Sequence, residues 1–129
     1  MGKDFSKQLS KQIGENLLVA KLGELGIVAT TLTGNVPDID VLAYRDGRSI
    51  PIQVKTLKAG MLSADAKHYL QIEFDGKKQI VKGKNKGLDR ELIFVIIITG
   101  EKLGDETFYM CKKGFIQDLI YRGYKEIGY

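Results

Sequence analysis

The sequence predicts an α/β protein built on a mixed central β-sheet flanked by helices. Three observations carry that expectation. Apolar residues recur at helical spacing at both ends of the chain, strand-like β-branched runs fill the middle, and one run, Leu92–Thr99, is almost wholly apolar, as suits a strand covered on both faces. The 129 residues are 43% apolar and 28% charged with a mean hydropathy of −0.13, the profile of one globular domain spanning 1–129 rather than of a disordered or fibrous chain.

The elements follow in order. From Ser6 to about Leu25, Leu9, Ile13, Leu17 and Ala20 share one helical face and Leu18, Leu22 and Leu25 a second, so this helix is expected to be largely buried, with Gly26 as its stop. Ile27–Thr33 is β-branched and ends at the Gly34-Asn35 turn signal. Two further strands, Asp38–Tyr44 and Ser49–Thr56, flank Arg45-Asp46-Gly47-Arg48, and Asp-Gly between alternating runs is a strong hairpin signal. His68–Phe74 alternates as another strand closed by Asp75-Gly76, and Lys77–Arg90 reads as a polar, lysine-rich connection. After Leu92–Thr99 comes a short strand, Phe108–Cys111, and then a closing amphipathic helix marked by Phe115, Leu119, Ile120 and Tyr124.

Composition removes several classes of chemistry. The single cysteine, Cys111, allows neither an internal disulfide nor a multi-cysteine zinc site and suits a reducing cytoplasm as a small core residue. With one histidine, His68, a His-rich metal centre is excluded. Carboxylates and lysines are therefore the natural reactive groups. The N-terminus lacks the apolar stretch of a signal peptide, and Leu92–Ile98 is far shorter than the roughly 20 residues that span a bilayer, so a soluble protein without a membrane partner is expected. Lys and Arg (20) exceed Asp and Glu (16), giving a net charge of +4 that permits a polyanionic partner without demanding one.

If Asp46 and Gly47 close the hairpin, Arg45 faces Arg48, Asp40 faces Gln53 and Asp38 faces Lys55. Period-two alternation then projects Asp38, Asp40, Gln53 and Lys55 from one face, opposite Ile39, Val41, Ile52 and Val54. Such a patch suits a hard divalent cation, with Asp40 and Asp38 as carboxylates, the Gln53 amide oxygen and the Val54 carbonyl as donors. Lys55 would orient or deprotonate a bound water, or neutralise charge on a phosphate. The same residues also read as a plain cross-strand ion pair, Asp38 with Lys55, on a solvated sheet face.

At this point the sequence resembles the PD-(D/E)-x-K nuclease superfamily, through Pro37-Asp38-Ile39-Asp40 and Gln53-Val54-Lys55. More narrowly, Ile13–Thr56 is similar to the core shared by archaeal Holliday-junction resolvases and bacterial intron-encoded homing endonucleases of that superfamily. The resemblance implies a restriction-endonuclease-like α-β-β-β-α-type core and a Mg²⁺-dependent endodeoxyribonuclease, with Mn²⁺ substituting, acting on duplex or branched DNA. Residue by residue it implies Glu15 as the helix-borne acid, Asp40 as the metal-binding Asp with Asp38 as the alternative, Gln53 at the second acidic position and Lys55 as the lysine. On spacing alone Glu15 sits at the margin of an apolar face, where it would pair with Lys11. Gln53 departs from the acidic pattern, which leaves open a non-catalytic nucleic-acid-binding module with a decayed site. An RNA nuclease is a third reading.

The lysine-rich stretch, with Lys82, Lys84 and Lys86 foremost, would grip backbone phosphates or simply solubilise a loop, and Lys58, His68 and Tyr69 are further candidates for the DNA path. Cutting both strands of a duplex or junction requires two sites, so a homodimer is expected.

Overall fold

The computed structural model describes residues 6–34, 36–58, 69–76 and 78–127, so His68 and Lys77 lie outside the described residues. The chain divides into two compact units, Met1–Met61 with Ile93–Met110, and Leu62–Leu92 with Cys111–Tyr129.

In the first unit, helix α1 (Ser6–Glu24) ends as the glycine predicts. Gly26 has φ 81°, its N–H donates to Gly23 O at 3.0 Å and the Ile27 N–H donates to Leu22 O at 2.8 Å, the pair of bonds that closes a helix on a left-handed residue. Only one face is deeply buried: Leu18 and Leu22 are in the core, whereas Leu9 is 54% and Ile13 47% exposed, which corrects the expectation of a largely buried helix.

Strands β1 (Val28–Thr31), β2 (Val41–Arg45) and β3 (Arg48–Lys58) form an antiparallel meander. β3 then pairs in parallel with β6 (Ile93–Thr99), and β7 (Thr107–Lys112) lies at the far edge, giving the mixed order β1-β2-β3-β6-β7. Asp46 and Gly47 both have positive φ, 51° and 79°, as the two-residue turn requires, and Arg45 faces Arg48 in the expected register. Leu18 and Leu22 of α1 pack with Val41, Ala43, Ile52, Val54, Val95 and Ile97 in the core of this unit. The sheet's buried side is thus the one that carries Ile52 and Val54.

In the second unit, β4 (Leu70–Asp75) and β5 (Lys78–Lys84) pair antiparallel as a separate two-stranded sheet with an irregularity between Gln71 and Ile72. The expected polar connection from Lys77 to Arg90 is therefore half strand. A second helix, α2 (Lys113–Ile127), begins with Lys113 N–H donating to Leu92 O and Gly114 N–H to Arg90 O. Its buried positions are polar: Lys113 and Gln117 are 1% and 0% exposed, while Phe115 and Leu119 face solvent. Of the apolar stripe expected to bury this helix, Phe115 and Leu119 do not do so and Ile120 is half-buried, while the Tyr124 side chain lies outside what is described. Among the described residues no helix is long and apolar enough to cross a membrane.

Candidate functional site

The chain between β1 and β2 turns through Pro37-Asp38, and Asp38 adopts φ 63°, a left-handed conformation that Asp tolerates better than most side chains. The ladder between β2 and β3 consequently begins at Val41↔Ile52. Asp38 is exposed and is not in register with Lys55, so the expected cross-strand placement of that pair is corrected.

Asp40 lies just outside the ladder yet remains tied to β3. Its N–H donates to Ile52 O at 2.9 Å, and its Oδ2 accepts from the Val54 N–H at 2.8 Å, replacing the strand partner that β2 withdraws by turning away. The carboxylate is held by backbone, with its side chain only 15% exposed. Oδ1 is left to face outward, 3.5 Å from Lys11 Nζ on α1.

One helical turn from Lys11, Glu15 faces the same carboxylate. Burial pushes the Glu15 carboxyl above the ordinary glutamate range, the negative charge of Asp40 pushes it further, and Lys11 draws it partly back. Lys11, Glu15 and Asp40 line one groove of about 480 Å³, whose wall is extended along α1 by Gln8 and Gln12 and closed by Pro37 and Ile39. Lys11 is the residue that sequence reasoning treated only as an ion-pair partner of Glu15. Its i, i+4 spacing was the available signal.

Gln53 and Lys55 flank Val54, the residue that anchors Asp40, but they leave β3 on the side opposite Val54 and do not line the groove. The expectation that four polar side chains share one face therefore holds for Gln53 and Lys55 and fails for Asp38 and Asp40. Gln53 Oε1 is buried and has no hydrogen-bond partner among the described residues. Lys55 is exposed and makes no ion pair among them. A buried amide oxygen without a donor is costly, and hard cations take such oxygens readily. Three His, Cys, Asp or Glu side chains do not converge anywhere among the described residues. Any cation held in the groove would rest on Asp40 and Glu15.

Of the other residues expected to meet nucleic acid, Lys58 and Lys86 are exposed and make no ion pair among the described residues. Lys84 Nζ lies 2.6 Å from Asp118 and Lys82 Nζ 3.8 Å from Glu73. Tyr69 is buried, its ring 5.8 Å from Lys113 Nζ, so it is a packing residue of the second unit rather than a solvent-facing one. Cys111 is half-buried, and burial pushes its thiol pKa up, away from reactivity.

No protein-family model and no curated protein matches the sequence. Among solved structures the chain is similar to a bacterial homing endonuclease, I-Ssp6803I, at a TM-score of 0.54 and 14% identity, covering 88% of this chain and 73% of that one. At that identity the likeness is one of fold: a nuclease-like α/β architecture with a mixed central sheet.

Proposed function

We propose that this protein is a metal-dependent endonuclease that hydrolyses phosphodiester bonds in duplex or branched DNA. The observation that carries the reading is the Asp40 carboxylate. It is fixed by the Val54 N–H between Gln53 and Lys55 and faces a second acid, Glu15, across a solvent groove. The fold shared with a homing endonuclease supports it.

Asp40 Oδ1 and Glu15 would hold Mg²⁺ or Mn²⁺, carboxylate oxygens of the kind that hard cations prefer. A bound ion of this kind supplies Lewis acidity toward water and charge neutralisation at the phosphate. The protein's own groups do the rest. The backbone anchor on Oδ2 removes rotational freedom from Asp40, so its second oxygen is preorganised. Lys55, exposed and without an ion pair among the described residues, would donate to a phosphate oxygen and stabilise charge as it develops. Lys11 neutralises part of the acid pair. Lys58 and Lys86 are cations suited to backbone phosphates, and a homodimer would supply the second site that double-strand cleavage needs.

The test is cleavage of duplex, four-way-junction and single-stranded DNA, and of RNA, in Mg²⁺ or Mn²⁺ by the wild type, Asp40→Ala and Lys55→Ala. Cleavage of DNA that falls at least a hundredfold in both variants is the expected result. Binding without cleavage on every substrate and metal would identify a non-catalytic module instead, and cleavage of RNA alone would reassign the substrate.

A further inference from the structure

Gly14 is buried in the middle of α1, where a glycine costs helix stability relative to alanine. What it faces explains it. A Cβ built at Gly14 would fall inside the van der Waals envelope of Thr56 Oγ1, 3.0 Å from Thr56 Cβ and 3.1 Å from its Cγ2. Any side chain there would push the helix off β3. The Cα–H that takes the place of that Cβ is directed at Oγ1, a buried hydroxyl with no conventional hydrogen-bond partner among the described residues.

The place of this contact matters as much as its closeness. Gly14 immediately precedes Glu15 and follows Lys11 by three residues, while Thr56 immediately follows Lys55 and lies two residues beyond Val54, which anchors Asp40. This close approach of helix to strand is thus one residue from Glu15 on one side and one residue from Lys55 on the other. We infer that Gly14 and Thr56 are positioning residues: their contact sets the depth at which α1 seats on β3, and so the separation between the Glu15 and Asp40 carboxylates. The inference rests on the functional reading above, in which those two carboxylates hold a divalent cation together. Neither Gly14 nor Thr56 touches the ion or the DNA.

Because the obstruction is steric, it is reciprocal. Trimming Thr56 to alanine removes Oγ1 and Cγ2, leaving a 3.0 Å approach that a shift of a few tenths of an ångström relieves. A helix displaced by the wedge and restored by the trim is the signature sought.

The experiment measures the Mn²⁺ dissociation constant by electron paramagnetic resonance, together with the thermal midpoint, for the full chain and for Gly14→Ala, Thr56→Ala, the double variant and Thr56→Val. Gly14→Ala is expected to weaken Mn²⁺ binding at least fivefold. Thr56→Ala and the double variant should both lie within twofold of wild type. Thr56→Val exchanges the orphan hydroxyl for a bulkier methyl against Gly14 while leaving the sequence of the helix unchanged. It should melt at the same or a higher temperature yet bind Mn²⁺ two- to threefold more weakly, a split that a purely structural role would not produce. This variant carries the test if Gly14→Ala does not fold. The inference falls if Gly14→Ala binds like wild type, if the double variant is no better than Gly14→Ala, or if Thr56→Val binds unchanged. In those cases Mn²⁺ binding by wild type that is lost in Asp40→Ala keeps the functional reading intact. Wild type that binds no Mn²⁺ overturns both.

Discussion

In the second unit Asp118 accepts from both Arg90 nitrogens at 3.0 Å and from Lys84 at 2.6 Å. Gln117, fully buried, donates to Tyr69 O and Asn85 O and accepts from Arg90. In the first unit Gln53 keeps a buried carbonyl oxygen without a partner among the described residues, Glu15 faces another acid, and the cation beside Asp40 is an exposed lysine. Both regions hold polar groups that the protein interior disfavours, and only one satisfies them. Saturated polar groups tie backbone to backbone and make α2 a polar-faced helix. Unsaturated ones keep binding capacity for something else. Polarity alone marks neither region as a site; its unmet share does.

The sharpest way to break this contrast is one substitution made twice. Gln117→Leu removes three hydrogen bonds at a fully buried position, so it should cost about 3 kcal/mol in urea denaturation. Gln53→Leu removes an amide whose oxygen has no partner among the described residues and should stabilise the fold by about 1 kcal/mol. Two destabilised variants would show that Gln53 is structural after all.

A smaller effect with opposite signs comes from pH. Asp118 is held down to about 2, chiefly by its hydrogen bonds to Arg90 and then Lys84. Its ionised form is therefore favoured by folding, and its contribution is full above its unfolded value near 4 and lost as pH falls toward 2. Because the pair is substantially exposed, Asp118→Asn should cost at most about 1 kcal/mol at pH 7, and the difference should vanish by pH 2. Glu15 is displaced upward, so folding favours its protonated form and stability falls as pH rises through its folded value. Glu15→Gln should match wild type at pH 3 and melt higher at pH 7. Thermal melts across this range check both, and a Glu15→Gln variant that is less stable at pH 7 would contradict the acid pairing.

How much of this was legible in sequence depended on how local the determining interaction is. Asp46-Gly47 needs only two adjacent residues with positive φ, and the β2–β3 register followed from it correctly as far as Val41. Beyond Val41 the register failed because Asp38 takes a left-handed turn that pulls the chain out of the ladder, and period-two alternation carries no warning of that. The sequence of β5 reads as connection because Lys78, Lys82 and Lys84 mask the Ile80-Val81 centre, although the Asp75-Gly76 turn signal precedes it. α2 was assigned the wrong buried face because Gln117 and Lys113 are buried through non-local partners that hydropathy does not encode. Glu15 and Asp40 were identified through a family motif. The groove that joins them to Lys11 is tertiary and appears only with α1 seated on the sheet.

The finest test of the contrast is made with lysines. A lysine that contacts a DNA phosphate adds close to one unit to the slope of log affinity against log salt. Lys58 and Lys86 have no acidic partner among the described residues, so Lys58→Ala and Lys86→Ala should each reduce that slope by about 0.9. Lys84 would have to leave Asp118 to reach a phosphate, and Lys84→Ala should therefore change the slope by less than half as much while lowering the thermal midpoint slightly. Lys82, 3.8 Å from Glu73, falls between the two. If Lys84→Ala instead lowers the slope as far as Lys86→Ala does, its pairing with Asp118 is exchanged for phosphate on binding. The satisfied network of the second unit would then be a store of cations held in place until DNA arrives, rather than a scaffold.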